Sequence, residues 1–272
     1  MINVLGISQQ YVLDNDEQFN VNNLYTKQPI DYREHSMLTR DWIDKFHSPG
    51  SYHTLILDSV DLRWIKEAWR IGTQTLRFPK IFTEELQETC TKHVWPDNPQ
   101  GWFVRSELVS LKAGIHGPGP YFSLKQAIES IVTSKIGHTC FREEDTSCTL
   151  YLMKWLVLDG DREFRVFVYN GRITAISQQH WYRSNKWLNT LREEEIQAVG
   201  KAIVNHFEQE IKPRLNSSYV MDVVFTDDNS LYFIEPNAFG KMYGAGSALF
   251  HWEIDEDILL GQTPEIHFRY VK

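Results

Sequence analysis

Cysteine is scarce in this chain. It has 272 residues and only three cysteines, Cys90, Cys140 and Cys148. An odd, scattered set fits neither a disulfide framework nor a zinc-binding spacing, so a reducing cytoplasm is the expected setting. Long apolar runs are missing too. No stretch approaches the roughly 18 uninterrupted apolar residues of a membrane helix. The opening MINVLGISQQYVLDND has neither a basic n-region nor a long apolar h-region. Neither a membrane span nor a secretory leader is expected. Positive charge is in deficit: 28 Lys and Arg against 36 Asp and Glu leave a net charge of −8. That argues against binding duplex DNA through a broadly basic surface, and leaves room for a small basic cleft. There is no internal repeat, no low-complexity tract, no Walker phosphate loop and no dinucleotide fingerprint.

What remains is the composition of a folded protein, 42% hydrophobic and 13% aromatic. It is long enough for one large domain or two lobes. Residues 1 to about 50 are polar with weak periodicity, and FNVNNLYTKQPIDY reads as irregular. SYHTLILDSV predicts a strand, and DLRWIKEAWRIG a helix stopped by Gly72. TEELQETCTKHVW predicts a helix capped by Thr83, GWFVRSELVS a strand, and KAGIHGPGPYF a loop. SLKQAIESIVTSKIG predicts an amphipathic helix capped by Ser123 and ending near Gly137. From residue 149 strands take over. TLYLMKWLVL is one, and REFRVFVYNGRITAISQQ is a hairpin around Asn170-Gly171, the preferred dipeptide of a type I′ turn. REEEIQAVGKAIVNHFEQEI is a long helix, and YVMDVVFTDDNSLYFIEPNAFG a second hairpin. This mixed order with antiparallel hairpins predicts α+β lobes rather than a doubly wound parallel sheet.

The second hairpin carries two carboxylates inside its apolar runs. An even-length turn centred on Asp228-Asn229 sets Phe225 opposite Tyr232 and Asp222 opposite Glu235. Facing residues share a side of the sheet, so these two acids repel. Asn237, two residues beyond Glu235, points the same way. Three oxygen donors on one spot suit a hard divalent cation, and Mg²⁺ takes such a set when phosphates and waters complete its octahedron. The alternative is a solvated hairpin face. Pro236 and the NAFG that follows mark a strand ending at a shaped site.

In the Asn-Gly hairpin, an even register sets Glu163 opposite Gln178, with Arg165 on the same side. The row offers an acid, a guanidinium and an amide, and Arg suits bidentate phosphate contact. The alternative is an exposed ladder with a Glu–Arg pair. Arg105, Lys112 and the loop Gly114–Gly119 form another candidate, because a glycine-bearing loop can bring N–H groups close to phosphate. A mobile surface connection is the plainer reading of that loop, with His116 solvated. Lys154, alone in LYLMKWL, needs a carboxylate, a carbonyl cluster or a phosphate, unless it guards an edge strand.

Together these supply basic groups for phosphates, an acid–acid–Asn cluster for Mg²⁺ and a loop that can close. FVRSELVSLKAG, LMKW, EFRVFVYNGRITAISQ, YVMDVVF and LYFIEPNAFG…SALFHWEID occur in the order seen in the cell division cycle protein 123 family, which the chain resembles over roughly residues 100 to 255. That family belongs to the ATP-grasp superfamily. The resemblance implies an α+β ATP-grasp fold, with two lobes of antiparallel sheet holding Mg·ATP between them. It divides the chain into a divergent part at 1–95, a first lobe at 96–157 and a second at 158–272. It implies Mg²⁺ ligation by Asp222, Glu235 and Asn237. Arg165 and Lys112 would contact the transferring phosphate, and Lys154 and Trp155 would lie near the adenine. Arg105, Glu163 and Gln178 complete the ATP-binding set. The chain has Arg105 where the family usually has Lys, Glu235 where it has Asp, and Gln179-His180 where it has Arg-Asp. Two functions follow from the resemblance. One is an ATP-dependent ligase activating a carboxylate or an RNA end, with an RNA or protein acceptor. The other is an ATP-bound assembly chaperone for a translation initiation factor.

Overall fold

The computed structural model describes residues 1–20, 37–48, 50–215, 217–241, 243 and 245–272. The part of the irregular reading that covers residues 21–32 lies outside them. The chain forms two compact units, Met1–Met37 with Leu158–Lys272, and Leu38–Val157. The first 95 residues are therefore divided between both. No helix among the described residues is long and apolar enough to cross a membrane.

The first unit is built on a six-stranded sheet. Its strands in chain order are β1 (Ile2–Ile7), β5 (Glu163–Tyr169), β6 (Arg172–Gln178), β7 (Tyr219–Phe225), β8 (Leu231–Ala238) and β9 (Ile266–Val271). Their spatial order is β1-β9-β6-β5-β7-β8. The two expected hairpins form its antiparallel half, while β9 runs parallel to both β1 and β6. The α+β class stands, but this sheet is mixed. β1 and β9 were not anticipated: INVLGI shows no clean alternation, whereas IHFRYV, which alternates after the turn-forming GQTP, did carry a strand signal. One face of the sheet carries Phe164, Val166, Ile176, Met221, Val223 and Phe268, all buried. Phe164 meets Trp187, Phe225 and Phe268 edge-on. Helix α6 (Glu193–His206) covers this face, and at Gly200 it comes so close that a Cβ would lie 3.2 Å from Ile2 and 3.3 Å from Phe268. The expected long helix includes α6 and a wider π turn at Phe207–Ile211.

The second unit has a three-stranded antiparallel sheet, β2 (Tyr52–Leu57), β4 (Cys148–Lys154) and β3 (Trp102–Ser106), with β4 in the centre. Alternation sends Leu55, Leu57, Val104, Leu150 and Leu152 to one face. There they pack with Leu62, Ile65 and Ala68 of α3 (Ser59–Thr75) and Ile128 and Ile131 of α5 (Leu124–Val132). Gly72 does not stop α3. The helix runs on to Leu76, whose backbone is left-handed at φ 53°. Gly72 instead admits α5: a Cβ there would lie 2.5 Å from the Val132 carbonyl oxygen. Gly72→Ala gains helix propensity of about 1 kcal/mol but meets backbone, and overpacking costs ~1–3 kcal/mol. We expect a lower melting temperature in a thermal scan; a raised one would contradict this packing.

The capping expectations divide. Ser123 caps α5, accepting from the Gln126 N–H at 3.3 Å. That helix ends at Thr133, well before Gly137. In α4 (Thr83–Lys92), Thr83 is already helical, and its hydroxyl donates to the Lys80 carbonyl at 2.6 Å. The strongest cap belongs to α3, where Asp58 accepts from Val60 and Asp61 N–H groups at 2.9 and 3.1 Å. Lys92 bridges Asp58 and Asp61 at 2.5 and 3.0 Å, and His93 Nε2 lies 2.8 Å from Asp61. The Lys92 hydrogen bond, helped by the backbone N–H groups, holds Asp58 down at about 2 against an ordinary 3.8. A depressed acid stabilises above its unfolded value and loses that contribution as pH falls. The thermal advantage of wild type over Asp58→Ala is therefore expected in full above 3.8 and should shrink toward pH of about 2; an advantage that grows on acidification would contradict it.

Candidate functional site

The Asp222–Glu235 opposition expected from the sequence forms, by a different route. The β7–β8 turn is odd in length. Thr226 and Ser230 close it through a 2.9 Å backbone bond, and Asn229 takes the left-handed conformation at φ 60°. A type I turn followed by a left-handed residue is a common three-residue hairpin loop. Phe225 therefore faces Leu231, not Tyr232, and Val223 faces Phe233. An irregularity between Asp222 and Val223 then leaves Ile234 as an extra residue on β8 and returns the register, so that Asp222 faces Glu235 and Val220 faces Asn237. Two one-residue shifts cancel at the carboxylates.

Asp222 is 2% exposed. Arg165 faces it from β5 and grips both its oxygens, Nε to Oδ1 and Nη2 to Oδ2 at 2.9 Å each. The third guanidinium nitrogen, Nη1, donates to the Gly246 carbonyl at 2.7 Å. Burial works against the charge on Arg165, but Asp222, Glu235 and Glu163 surround it and raise its pKa above the usual guanidinium value.

The row continues across the sheet. Ser177 faces Arg165 on β6, and Arg269 faces Ser177 on β9. Arg269 donates from Nη1 and Nη2 to Asp255 at 2.8 and 2.7 Å and to the Leu249 carbonyl at 3.0 Å, and its guanidinium lies 4.2 Å from the Phe250 ring centre. Ser177 Oγ accepts from the Leu249 N–H at 3.1 Å. A strap, residues 245–255, is thus tied over the polar face by two arginines and a serine. Neither Arg269, Ser177 nor Asp255 was anticipated. A signal existed: HFRYV in β9 repeats the isolated Phe-Arg of EFRVF in β5, an arginine alone in an apolar strand.

Gln178 leaves the expected row. Near the Asn-Gly turn the pairing is as expected, Val168 with Ile173, but a bulge between Phe167 and Val168 shifts the rest. Gln178 then faces Phe164, not Glu163, and a one-residue shift moves a side chain to the other side of the sheet. Its amide is spent on structure, donating to the His180 and Arg183 carbonyls at 2.8 Å each and accepting from the Val271 N–H at 2.7 Å. Glu163 stays on the Arg165 side, two residues away along β5.

Four candidates lie in the other unit. Arg105 is 4% exposed, stacked 4.5 Å from the Trp42 ring of α2 (Thr39–Phe46), with Nε donating to Thr39 Oγ1 at 3.0 Å. Burial, with the Arg105 charge adding to it, pushes the neighbouring His47 down to about 4. Lys112 is exposed at the loop's start. Lys154 is not mid-strand: it is the last residue of β4, exposed, with half-buried Trp155 next to it. Because β4 is the central strand, Lys154 does not guard an edge. The Gly/Pro loop is pinned rather than loose. Ile115 and His116 N–H groups donate to Thr133 and Ser130 hydroxyls at 2.9 and 3.2 Å, and a Cβ on Gly114 would run into the Ser130 backbone. His116 is not simply solvated, since its Nε2 lies 2.7 Å from Glu129.

Among the described residues no three His, Cys, Asp or Glu side chains group into a metal site. The candidate set is of another kind, two carboxylates and an amide. It fits a hard divalent cation in donor chemistry, since each of the three side chains can offer an oxygen. Asn237 Nδ2 is buried and has no hydrogen-bond partner among the described residues.

Comparison with known proteins gives this geometry a family. A relative from Candida albicans, described as a translation initiation factor eIF2 assembly protein, is 33% identical over 116 residues, 40% of this chain. That stretch spans only 31% of the relative's length. Cdc123 from Schizosaccharomyces pombe superposes with a TM-score of 0.60 at 15% identity, over 91% of this chain and 100% of the other. Its C-terminally truncated form gives 0.55 at 14% identity, over 98% and 100%. The chain therefore shares the Cdc123 fold, and the expected α+β class stands. The D123 family model matches residues 124–272, more than half the chain, and the chain belongs to the D123 family.

Proposed function

We propose that this protein binds Mg·ATP and uses the bound nucleotide as part of an assembly factor for a translation initiation factor. The carrying observation is the opposition of buried Asp222 and half-buried Glu235 across β7 and β8, two carboxylates on one face that a divalent cation would bridge. Asp222, Glu235 and Asn237 hold the cation, which when bound neutralises phosphate oxygens. Arg165 of β5 is held beside them as the phosphate-facing cation, with Glu163 next to it. Arg105, Lys112, Lys154 and Trp155 are assigned to the nucleotide through the family resemblance, Lys154 and Trp155 to the adenine end. Gln178 supports the site as scaffold.

The name of the Candida albicans relative favours the assembly role, and so does the state of Arg165. The ligase reading assigns Arg165 and Lys112 to a transferring phosphoryl group. Yet both carboxylate oxygens of Asp222 and the Gly246 carbonyl already engage the Arg165 guanidinium. A group so held serves binding more readily than transfer. The cytoplasmic setting of translation initiation goes with this proposal. Prolonged incubation with labelled Mg·ATP tests it. Retained, intact ATP with co-purification of initiation-factor subunits is the expected result. Steady release of ADP or AMP with an acceptor present would instead favour the ligase.

A further inference from the structure

The three cysteines are scattered in sequence, yet the fold brings two of them into contact. Cys140 and Cys148, eight residues apart, have their sulfurs 3.7 Å from each other, and the Cys148 sulfur lies 3.4 Å from the Cys140 carbonyl oxygen. Both are buried, at 4% and 5% exposed. Neither belongs to the candidate nucleotide set. Packing as small hydrophobes accounts for the burial of each. What sets the pair apart is how both of its ends are fixed.

Cys148 opens β4, the central strand of its sheet, and pairs with Leu57 of β2. Cys140 is followed by a turn clamped to α3. Phe141 is buried and meets Trp69 edge-on, with ring centres 5.9 Å apart. Lys66, 9% exposed, donates to the Glu143 and Asp145 carbonyls at 2.6 Å each, and Arg70 hydrogen-bonds Glu143. The Arg142 N–H donates to the Asp145 carboxylate at 2.7 Å and closes the turn. A strand on one side and a clamped turn on the other therefore hold the two sulfurs together. A disulfide bond is about 2.05 Å long, so from 3.7 Å each sulfur has roughly 0.8 Å to travel, a distance that side-chain rotation can supply.

We propose that Cys140 and Cys148 are an oxidation site, a dithiol that closes to an intramolecular disulfide when a hydroperoxide reaches it and so staples residues 140–148 into a ring. The inference is independent of the Mg·ATP reading. One thiolate attacks a peroxide oxygen, becomes a sulfenic acid and releases water. The other sulfur then displaces hydroxide from it and forms the S–S bond, and the two thiol protons end in water. Two thiols and one hydrogen peroxide thus give one disulfide and two waters, with two electrons passing from sulfur to oxygen. Under reducing conditions the dithiol is the resting form. The path for a small oxidant is short, because residues 135–138 before Cys140 and residues 146–147 before Cys148 are exposed. The hydrogen bond with Cys148, with burial added, raises the Cys140 thiol well above its ordinary value. Only the thiolate attacks, so closure is slow at neutral pH and takes hours rather than seconds.

Trypsin separates the two cysteines. Cleavage after Lys135, Arg142 and Lys154 leaves Cys140 in residues 136–142 and Cys148 in residues 143–154. The folded wild-type protein is exposed to hydrogen peroxide, denatured in N-ethylmaleimide, digested and weighed by mass spectrometry. We expect the two peptides joined in one reductant-sensitive species, two hydrogens lighter than their sum, with Cys90 alkylated. Separate alkylated peptides, or sulfinic acid on either cysteine in place of the link, overturn the site. This readout does not depend on any variant folding. Cys90→Ser should keep the link and Cys148→Ser should abolish it. Thermal scans give a second readout. A staple that fits the fold should raise the melting temperature of peroxide-treated wild type by about 5 °C over its dithiothreitol-treated form, with no such rise in Cys148→Ser. A level or lowered value in the cross-linked protein would overturn the claim that the fold is set for the bond.

Discussion

Asp222→Ala should destabilise the protein by about 3–5 kcal/mol, the cost of leaving one partner of a buried ion pair alone. Arg165 then keeps its charge in a site with 11% side-chain exposure, having lost both carboxylate contacts. Glu163 and Glu235 screen it only in part. The effect extends beyond the pair, because Arg165 also holds the strap at Gly246. Arg165→Ala should cost a similar amount by stranding Asp222. The double variant should cost less than the sum of the two, since it strands nothing. Denaturant unfolding of the three variants checks this. Additive single losses would mean the guanidinium and carboxylate do not act as a pair.

Glu235→Gln should do the reverse: little change in stability, large loss of ligand. Glu235 is half-buried and lies opposite Asp222 across β7 and β8. Amide for carboxylate preserves shape and removes one charge, which relieves the repulsion from Asp222. The same change removes a hard anionic ligand. We expect a melting temperature close to wild type and a rise in the Kd for ATP of at least tenfold in Mg²⁺. Thermal scans and calorimetric titration read the two arms. An unchanged Kd in Mg²⁺ would place Glu235 outside the cation site. This variant is cleaner than any change at Asp222, which mixes folding with binding.

The reading of the two hairpins shows where sequence reasoning reached and where it stopped. Alternation placed Asp222 and Glu235 on opposed strands from the sequence alone. It could not see the odd turn at Asn229 or the extra residue Ile234, and the agreement at the carboxylates came from two shifts that cancel. In the Asn-Gly hairpin a single bulge had nothing to cancel it, and Gln178 went to the core side. Bulges carry no reliable sequence mark, because they settle the fit of side chains from distant strands. The mixed half of the sheet was invisible for a related reason. β1 and β9 pair across almost the whole chain, a contact that no local pattern encodes. Gly72 misled by type: a glycine in a helix reads as a stop, but here it is a contact point for α5. The long-range ties of the strap, Arg269 to Asp255 above all, follow from tertiary packing that no local pattern encodes.

The central claim is that the Asp222–Glu235 face binds nucleotide through a divalent cation. Calorimetric titration of the wild-type protein with ATP, in Mg²⁺ and then in EDTA, tests it most directly. The account predicts micromolar binding in Mg²⁺, on the order of −7 to −8 kcal/mol, that disappears in EDTA. Binding of equal strength in both buffers, or none in either, would contradict it.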